Sequence, residues 1–82
     1  MLINATGEAH ATLMRLRIEQ AITSFETNFH SSRDLGFAPQ VAVWIEDQDE
    51  TAVERTGQRV LAAIDPYVKG TFVTVHPGSV NG

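Results

Sequence analysis

Two side chains capable of acid–base chemistry follow the two stretches that are most typical of strands. Asp47 comes after the apolar run Val41 to Ile45, and His76 ends the run Thr71 to His76. A carboxylate beside an imidazole can orient a general base, so these two residues are a candidate catalytic pair. The third member is missing, because the nearest serine, Ser79, lies in the tail and belongs to no nucleophile elbow. A solvated or hydrogen-bonded His76 is therefore the simpler interpretation.

Five acidic side chains cluster where the second predicted helix begins. They are Glu46, Asp47, Asp49, Glu50 and Glu54. A calcium loop counted from Asp47 would need glycine and glutamate where the chain has Ala52 and Gln58. Asp47 and Glu50 instead have the spacing of a capping box, and acids in a first turn complement the helix dipole. Because capping needs only two of the acids, an acidic patch for a basic partner is an alternative.

Other site chemistries have little support in the sequence. The chain contains no cysteine, which excludes thiolate metal sites and cysteine nucleophiles. His10, His30 and His76 stand singly, without the paired spacing of a metal-binding helix. No glycine-rich loop precedes either predicted helix, as a phosphate site would require. We therefore expect no metal and no cofactor.

Net charge and hydropathy narrow the class of partner. Ten acidic against six basic residues give a formal charge of -4, which disfavours nucleic acid and anionic membranes. The longest apolar run, Val41 to Ile45, is far short of the roughly 20 residues of a membrane span. Met1 to Thr12 has neither the basic start nor the apolar run of a signal peptide. We expect a cytoplasmic protein that binds neither nucleic acid nor membranes.

A single small domain is all that 82 residues allow, and its first predicted element is a helix over residues 7–30. Its main apolar stripe comprises Met14, Ile18, Ala21, Ile22, Phe25 and Phe29. A second apolar face in the N-terminal half carries Ala5, Ala9, Leu13 and Leu16. A helix this long would overhang the domain. The second face therefore indicates a dimer or partner interface, or else a cover formed by residues 1–6.

The second half of the chain is typical of strand, helix, strand. Residues 40–46 and 71–76 have the alternation of strands, and residues 48–64 have helical spacing that Asp65-Pro66 ends. Strands joined by a helix most simply lie parallel, with a right-handed crossover. The sequence therefore predicts a small α/β domain, a two-layer sandwich of order α-β-α-β. Both helices would cover one face of the sheet, and residues 77–82 would form a flexible tail.

This arrangement leaves the other face of the sheet without a cover. It would present Ala42, Trp44, Phe72, Thr74 and His76. An exposed aromatic face next to unpaired sheet edges is typical of a surface that binds another chain. The sheet would then continue across a homodimer, with Leu2-Ile3 as an extra edge strand, or a partner would dock on the face. The alternative is that residues 1–6 and the tail fold over it.

The function expected from these features is a non-enzymatic protein-interaction module of a regulatory or inhibitory kind. Its predicted interface comprises Leu13, Leu16, Trp44, Phe72 and His76. The expected partner is a host or cellular protein, which would carry a basic surface if the acidic patch takes part. Inhibitors and accessory proteins, some carried by phages or mobile elements, share this size and charge, which is an association and not a shared motif. The alternatives are a ligand-binding protein or enzyme using Asp47 and His76, and a subunit of a larger assembly.

Overall fold

Two helices and a three-stranded sheet make up the part of the chain described by the computed structural model, residues 5–29, 38–47 and 49–78. In chain order the elements are α1 (Ala5–Ile18), β1 (Ser24–Asn28), β2 (Gln40–Ile45), α2 (Glu50–Ile64) and β3 (Phe72–Pro77). The strand order is β1-β2-β3, with β1 antiparallel and β3 parallel to the central β2. The protein is thus a small α+β domain with a mixed sheet.

The second half of the chain closely follows the sequence prediction. β2, α2 and β3 begin and end within two residues of the predicted bounds. The parallel pairing of β2 with β3 is confirmed, with Val41 beside Val73 and Val43 beside Val75. α2 lies close to β3 at Gly57, where an added Cβ would be 3.3 Å from a methyl carbon of Val75. A residue without a side chain therefore allows this close helix–sheet contact.

The prediction of one helix over residues 7–30 is wrong, and so is the predicted order α-β-α-β. α1 ends at Ile18, and the chain forms the strand β1 before β2. The predicted apolar stripe is consequently divided, with Phe25 in β1 and the Ile18 side chain 77% exposed. A helix of 14 residues is only about 21 Å long, so α1 does not have the length on which the predicted overhang depended. The predicted helix end at His30 and the loop that follows lie outside the described residues.

α1 ends in a backbone turn of the Schellman type. The N–H of Ala21 donates to the carbonyl of Leu16 at 2.9 Å, and the N–H of Gln20 donates to the carbonyl of Arg17 at 3.0 Å. Gln20 has a φ of 65°, in the left-handed region that glycine occupies most easily. Because glutamine stands where glycine usually signals such a stop, the sequence pattern does not reveal this helix end.

The core uses the face of α1 that was expected to be an interface. Ala9 and Leu13 are fully buried and Leu16 is 6% exposed. The prediction that Leu13 and Leu16 lie at an intermolecular surface is therefore wrong: both are packed inside the chain's own core. That core comprises Ala9, Leu13, Leu16, Ile22, Val41, Val43, Ile45, Val60 and Ile64. Because Phe25 and Phe29 do not belong to α1, the predicted stripe has no aromatic residue in the helix. The face that carries Leu13 packs into the core instead.

Within the described residues, neither helix has the length and the apolar character that crossing a membrane requires.

Replacing Leu13 by alanine should distinguish the two faces of α1. Leu13→Ala is expected to lower the free energy of unfolding by about 2–5 kcal/mol, because it opens a cavity in the core. Ile18→Ala, an apolar truncation at an exposed position of the same helix, should change it by less than about 0.5 kcal/mol. Urea unfolding of both variants measures the difference. Equal effects would contradict the buried position of Leu13.

Replacing Gln20 by glycine should stabilise the protein. Gln20→Gly removes the steric cost of a left-handed side-chain-bearing residue, and the expected gain in unfolding free energy is about 0.5–1 kcal/mol. Gln20→Ala is the matched control, because it shortens the side chain but keeps the Cβ. It should leave stability nearly unchanged in the same urea experiment. A glycine variant no more stable than the alanine variant would be inconsistent with the turn.

Candidate functional site

One face of the sheet is turned toward the core, and we call the opposite one the outer face. Strand alternation and register place three residues of each strand on it. They are Ser24, Glu26 and Asn28 of β1, Gln40, Ala42 and Trp44 of β2, and Phe72, Thr74 and His76 of β3. None of these residues falls in the fully buried class. Among the described residues, no helix or strand therefore covers the outer face.

An aromatic stack lies at one end of the outer face. Trp44 and His76 are direct neighbours on β2 and β3, and their ring centroids are 5.0 Å apart at an interplanar angle of 27°. The His76 Nε2 atom is 3.1 Å from the Thr74 hydroxyl oxygen, within hydrogen-bond distance. Because stacking and this contact orient the imidazole, His76 is part of the outer face and covers part of the indole.

The other end of the outer face carries an exposed phenylalanine beside a shallow groove. Phe72 is 61% exposed although it lies within a strand. The groove has a volume of about 220 Å³ and is lined by Glu26, Thr27, Asn28, Gln40, Val41, Ala42, Phe72 and Thr74. An apolar ring at the rim of a depression, with polar groups around it, is an arrangement typical of a contact surface.

A second concavity, of about 620 Å³, lies between the end of α1 and the start of α2. Its lining includes Arg17, Glu46 and Asp47. The Asp47 carboxylate accepts a hydrogen bond from the Asp49 N–H at 2.9 Å, which forms a turn just before the helix. The predicted capping box is wrong, because Asp49 is the N-cap and its side chain makes no capping bond. Asp47 is used in the preceding turn instead.

Asp47 and His76 do not line a common cleft. Asp47 lines the concavity between the helices, whereas His76 is not among the described residues around it and lies on the outer face. The Asp47 carboxylate bonds to the Asp49 N–H and His76 to the Thr74 hydroxyl, so no described hydrogen bond joins the candidate pair. What the concavity does bring together is a guanidinium and two carboxylates, a charge arrangement suited to holding a ligand rather than to moving a proton.

The five acidic residues singled out in the sequence all lie on the surface. Glu46, Asp47, Asp49, Glu50 and Glu54 are exposed. In the described parts of the chain, Arg59 forms an ion pair with Glu19 at 3.4 Å. None of the five acids forms an ion pair with a described basic side chain. No group of histidine and acidic residues in these parts is arranged to hold a metal ion. The acids therefore form an unneutralised negative surface at the end of β2.

Several residues of both surfaces escape sequence reasoning. Glu26 and Asn28 join the outer face only because β1 exists, and Arg17 joins the concavity only because α1 stops early. One signal for β1 is present: Phe25, Thr27 and Phe29 alternate with polar residues. The same two phenylalanines also fit helical spacing, which made the period ambiguous.

Comparisons with protein-family models, with curated proteins and with solved structures find no match to this chain. The assignment of function consequently rests on the geometry and charge of the surfaces described above.

Removing the His76 ring should expose Trp44, the single tryptophan of the chain. In His76→Ala, acrylamide quenching of tryptophan fluorescence is expected to increase, because the stacked imidazole no longer covers the indole. His10→Ala is the control, since the His10 ring contacts Phe25 rather than Trp44, with centroids 5.3 Å apart. Quenching that is the same in wild type and His76→Ala would show that the stack does not persist in solution.

Proposed function

We propose that this protein is a non-enzymatic protein-interaction module whose recognition surface is the outer face of the sheet, centred on Trp44, Phe72 and His76. The observation that carries the proposal is the 61% exposure of Phe72 on the same face as the Trp44–His76 stack. Aromatic side chains that lose their remaining water contact on binding generally dominate the energy of protein interfaces.

The charges near this surface support a partner with basic side chains. Glu26 lies on the outer face itself, and Glu46 follows the end of β2, two residues after Trp44. The formal net charge is -4. Negative groups around an apolar centre favour a protein surface that offers an apolar side chain flanked by lysine or arginine. The proposed partner is therefore a protein of that chemistry.

A regulatory or inhibitory role agrees with the size and the chemistry of the domain. The proposed role rests on surfaces that bind another protein, and it needs no reaction step. A small domain can act on a larger protein by occupying one of its surfaces. We therefore place its effect in binding and occlusion.

The concavity between the helices favours a second candidate, a small-ligand site. A lining that contains Arg17 together with Glu46 and Asp47 would suit a molecule that carries both an anionic and a cationic group. This candidate keeps Asp47 in the site and leaves out His76. It differs from the first in requiring no protein partner, so one capture experiment separates the two.

Capture from a lysate of the source organism tests the recognition surface when matched variants are used as baits. Phe72→Glu places a charge on the outer face, whereas Ile18→Glu places the same charge at an apolar, 77% exposed position on α1. One protein should be recovered by wild type and Ile18→Glu and lost with Phe72→Glu. With that protein purified, Phe72→Glu should raise the dissociation constant at least about 30-fold, the scale of an interface hot spot.

Two further measurements sharpen this experiment. Trp44→Ala should weaken binding to the purified partner by about 2 kcal/mol or more while circular dichroism and urea unfolding show a folded domain. Raising the salt concentration should also weaken binding, because the acids attract a basic surface. A partner held equally well by Phe72→Glu would contradict the outer face as the recognition surface. Recovery of no partner by wild type would favour the concavity between the helices.

A further inference from the structure

Within the described residues, β1 and β3 are the edges of the sheet, and the backbone groups of β3 that point away from β2 can be identified. The Phe72 N–H donates to the Pro39 carbonyl at 2.8 Å, and the Gly78 N–H donates to the Ile45 carbonyl at 2.7 Å. Even-numbered residues of β3 therefore bond toward β2. Because successive residues of a strand direct their backbone groups to opposite edges, Val73 and Val75 direct theirs away from the sheet. No described residue bonds to these outward groups.

The β3 edge also lacks the usual protection against pairing. Natural edge strands commonly carry a charged side chain, a proline or a bulge along their length. From Phe72 to His76 the sequence is FVTVH, with no acidic residue, no lysine and no arginine, and Pro77 stands only at its end. β1 differs, because its central residue is Glu26. β3 is thus the edge that is open to another strand.

We propose that β3 is the interface of a homodimer, in which the β3 strands of two copies pair antiparallel around a two-fold axis at Thr74. In this register Val73 lies opposite the partner subunit's Val75. Val73 and the partner subunit's Val75 then exchange two backbone hydrogen bonds, through the N–H and carbonyl groups that point away from β2. The two sheets become one continuous sheet, with the helices of both copies on the same side.

The register follows from the available donors. Centring the pairing one residue later would place Val73 opposite Pro77, which has no N–H to donate. Centring it one residue earlier would place Thr71, which precedes the strand and is only 6% exposed, opposite the partner subunit's Val75. The register centred on Thr74 uses the outward N–H groups of Val73 and Val75 and needs no other donor.

The side chains match in the same register. On the core side, the half-buried Val73 and Val75 would meet the corresponding valines of the other copy. On the outer face, Phe72 would lie beside the partner subunit's His76 and extend its stack with tryptophan. Leu61 follows Gly57 by one helical turn on the side of α2 that contacts Val75, and it is 41% exposed. Pairing at β3 would bring the two α2 helices together on this side.

The other edge pairings are less favourable. Two β1 strands paired around their centre would place Glu26 opposite the same glutamate of the other copy, and like charges directly opposite are destabilising. β3 paired with β1 of another copy would join two different edges, leave one of each free and propagate into an open chain. Pairing of β3 with β3 is the closed arrangement.

This inference concerns the edge of β3, whereas the proposed function concerns the outer face, so either can fail without the other. Dimerisation would place two recognition surfaces side by side on one sheet. The test accordingly reads the oligomeric state of the purified chain and does not use a captured partner.

A charge exchange at Thr74 tests the two-fold axis. Thr74→Lys and Thr74→Glu are made separately, and each would place like charges directly opposite each other in a dimer. Sedimentation velocity and native mass spectrometry measure the mass of each variant and of an equimolar mixture. Thr12→Lys and Thr12→Glu are the controls, because Thr12 lies on α1. Circular dichroism checks that all variants are folded.

The wild type should sediment as a dimer of its 9.0 kDa chain. Each Thr74 variant should raise the dimer dissociation constant at least about tenfold, and the mixture should restore dimers that contain one copy of each. The Thr12 variants should dimerise as the wild type does. A monomeric wild type would overturn the proposal. Thr74 variants that dimerise normally, or a mixture without mixed dimers, would overturn it as well.

Discussion

The backbone turn at Gln20 is the constraint on which the architecture depends. Two hydrogen bonds to the carbonyls of Leu16 and Arg17 end α1 and send the chain back across its own helix. The reversal frees the next residues to form β1, and β1 gives β2 a second neighbour. It also decides which side of α1 is buried, because Phe25 and Phe29 then belong to the sheet side of the core and Leu13 belongs to the helix side. A helix continued through this point would leave a sheet of two strands.

With neighbours on both sides, β2 is the strand around which both candidate surfaces are arranged. Its odd-numbered residues Val41, Val43 and Ile45 enter the core, so Trp44 must point to the outer face. At its end, Glu46 and Asp47 leave the sheet at the start of the helix that crosses to β3. Strand geometry thus places Trp44 on the outer face, and the carboxylates follow it in sequence at the end of the strand. β2 therefore contributes the tryptophan to the outer face and leads into the acidic residues that line the concavity between the helices.

Asp47 and His76, the two side chains most suited to acid–base chemistry, make separate contacts in the fold. His76 is committed to a stack and to the Thr74 hydroxyl on the outer face, and Asp47 to the turn before α2. The hydrogen bonds of the two side chains are thus made to different neighbours, Thr74 and Asp49. The proposed recognition role uses what the fold exposes, which is an aromatic face, an uncharged strand edge and exposed acidic side chains. The outer face and the β3 edge meet at Phe72, so binding of a partner and pairing of two copies would take place side by side.

The sequence by itself determined the elements whose patterns have a single interpretation. β2, α2 and β3, their parallel crossover, and the alternation that sends Trp44, Phe72 and His76 to one face all follow from β-branched runs, helical spacing and Asp65-Pro66. From Met14 to Phe29 the apolar residues fit a helical period, while Phe25, Thr27 and Phe29 also fit a strand period, and no glycine or proline marks the boundary. Only the tertiary structure decided between them. Local propensity is worth fractions of a kcal/mol per residue. The pairing of β1 with β2 and the burial of Leu13 each contribute more than that, and these contacts join residues far apart in the chain.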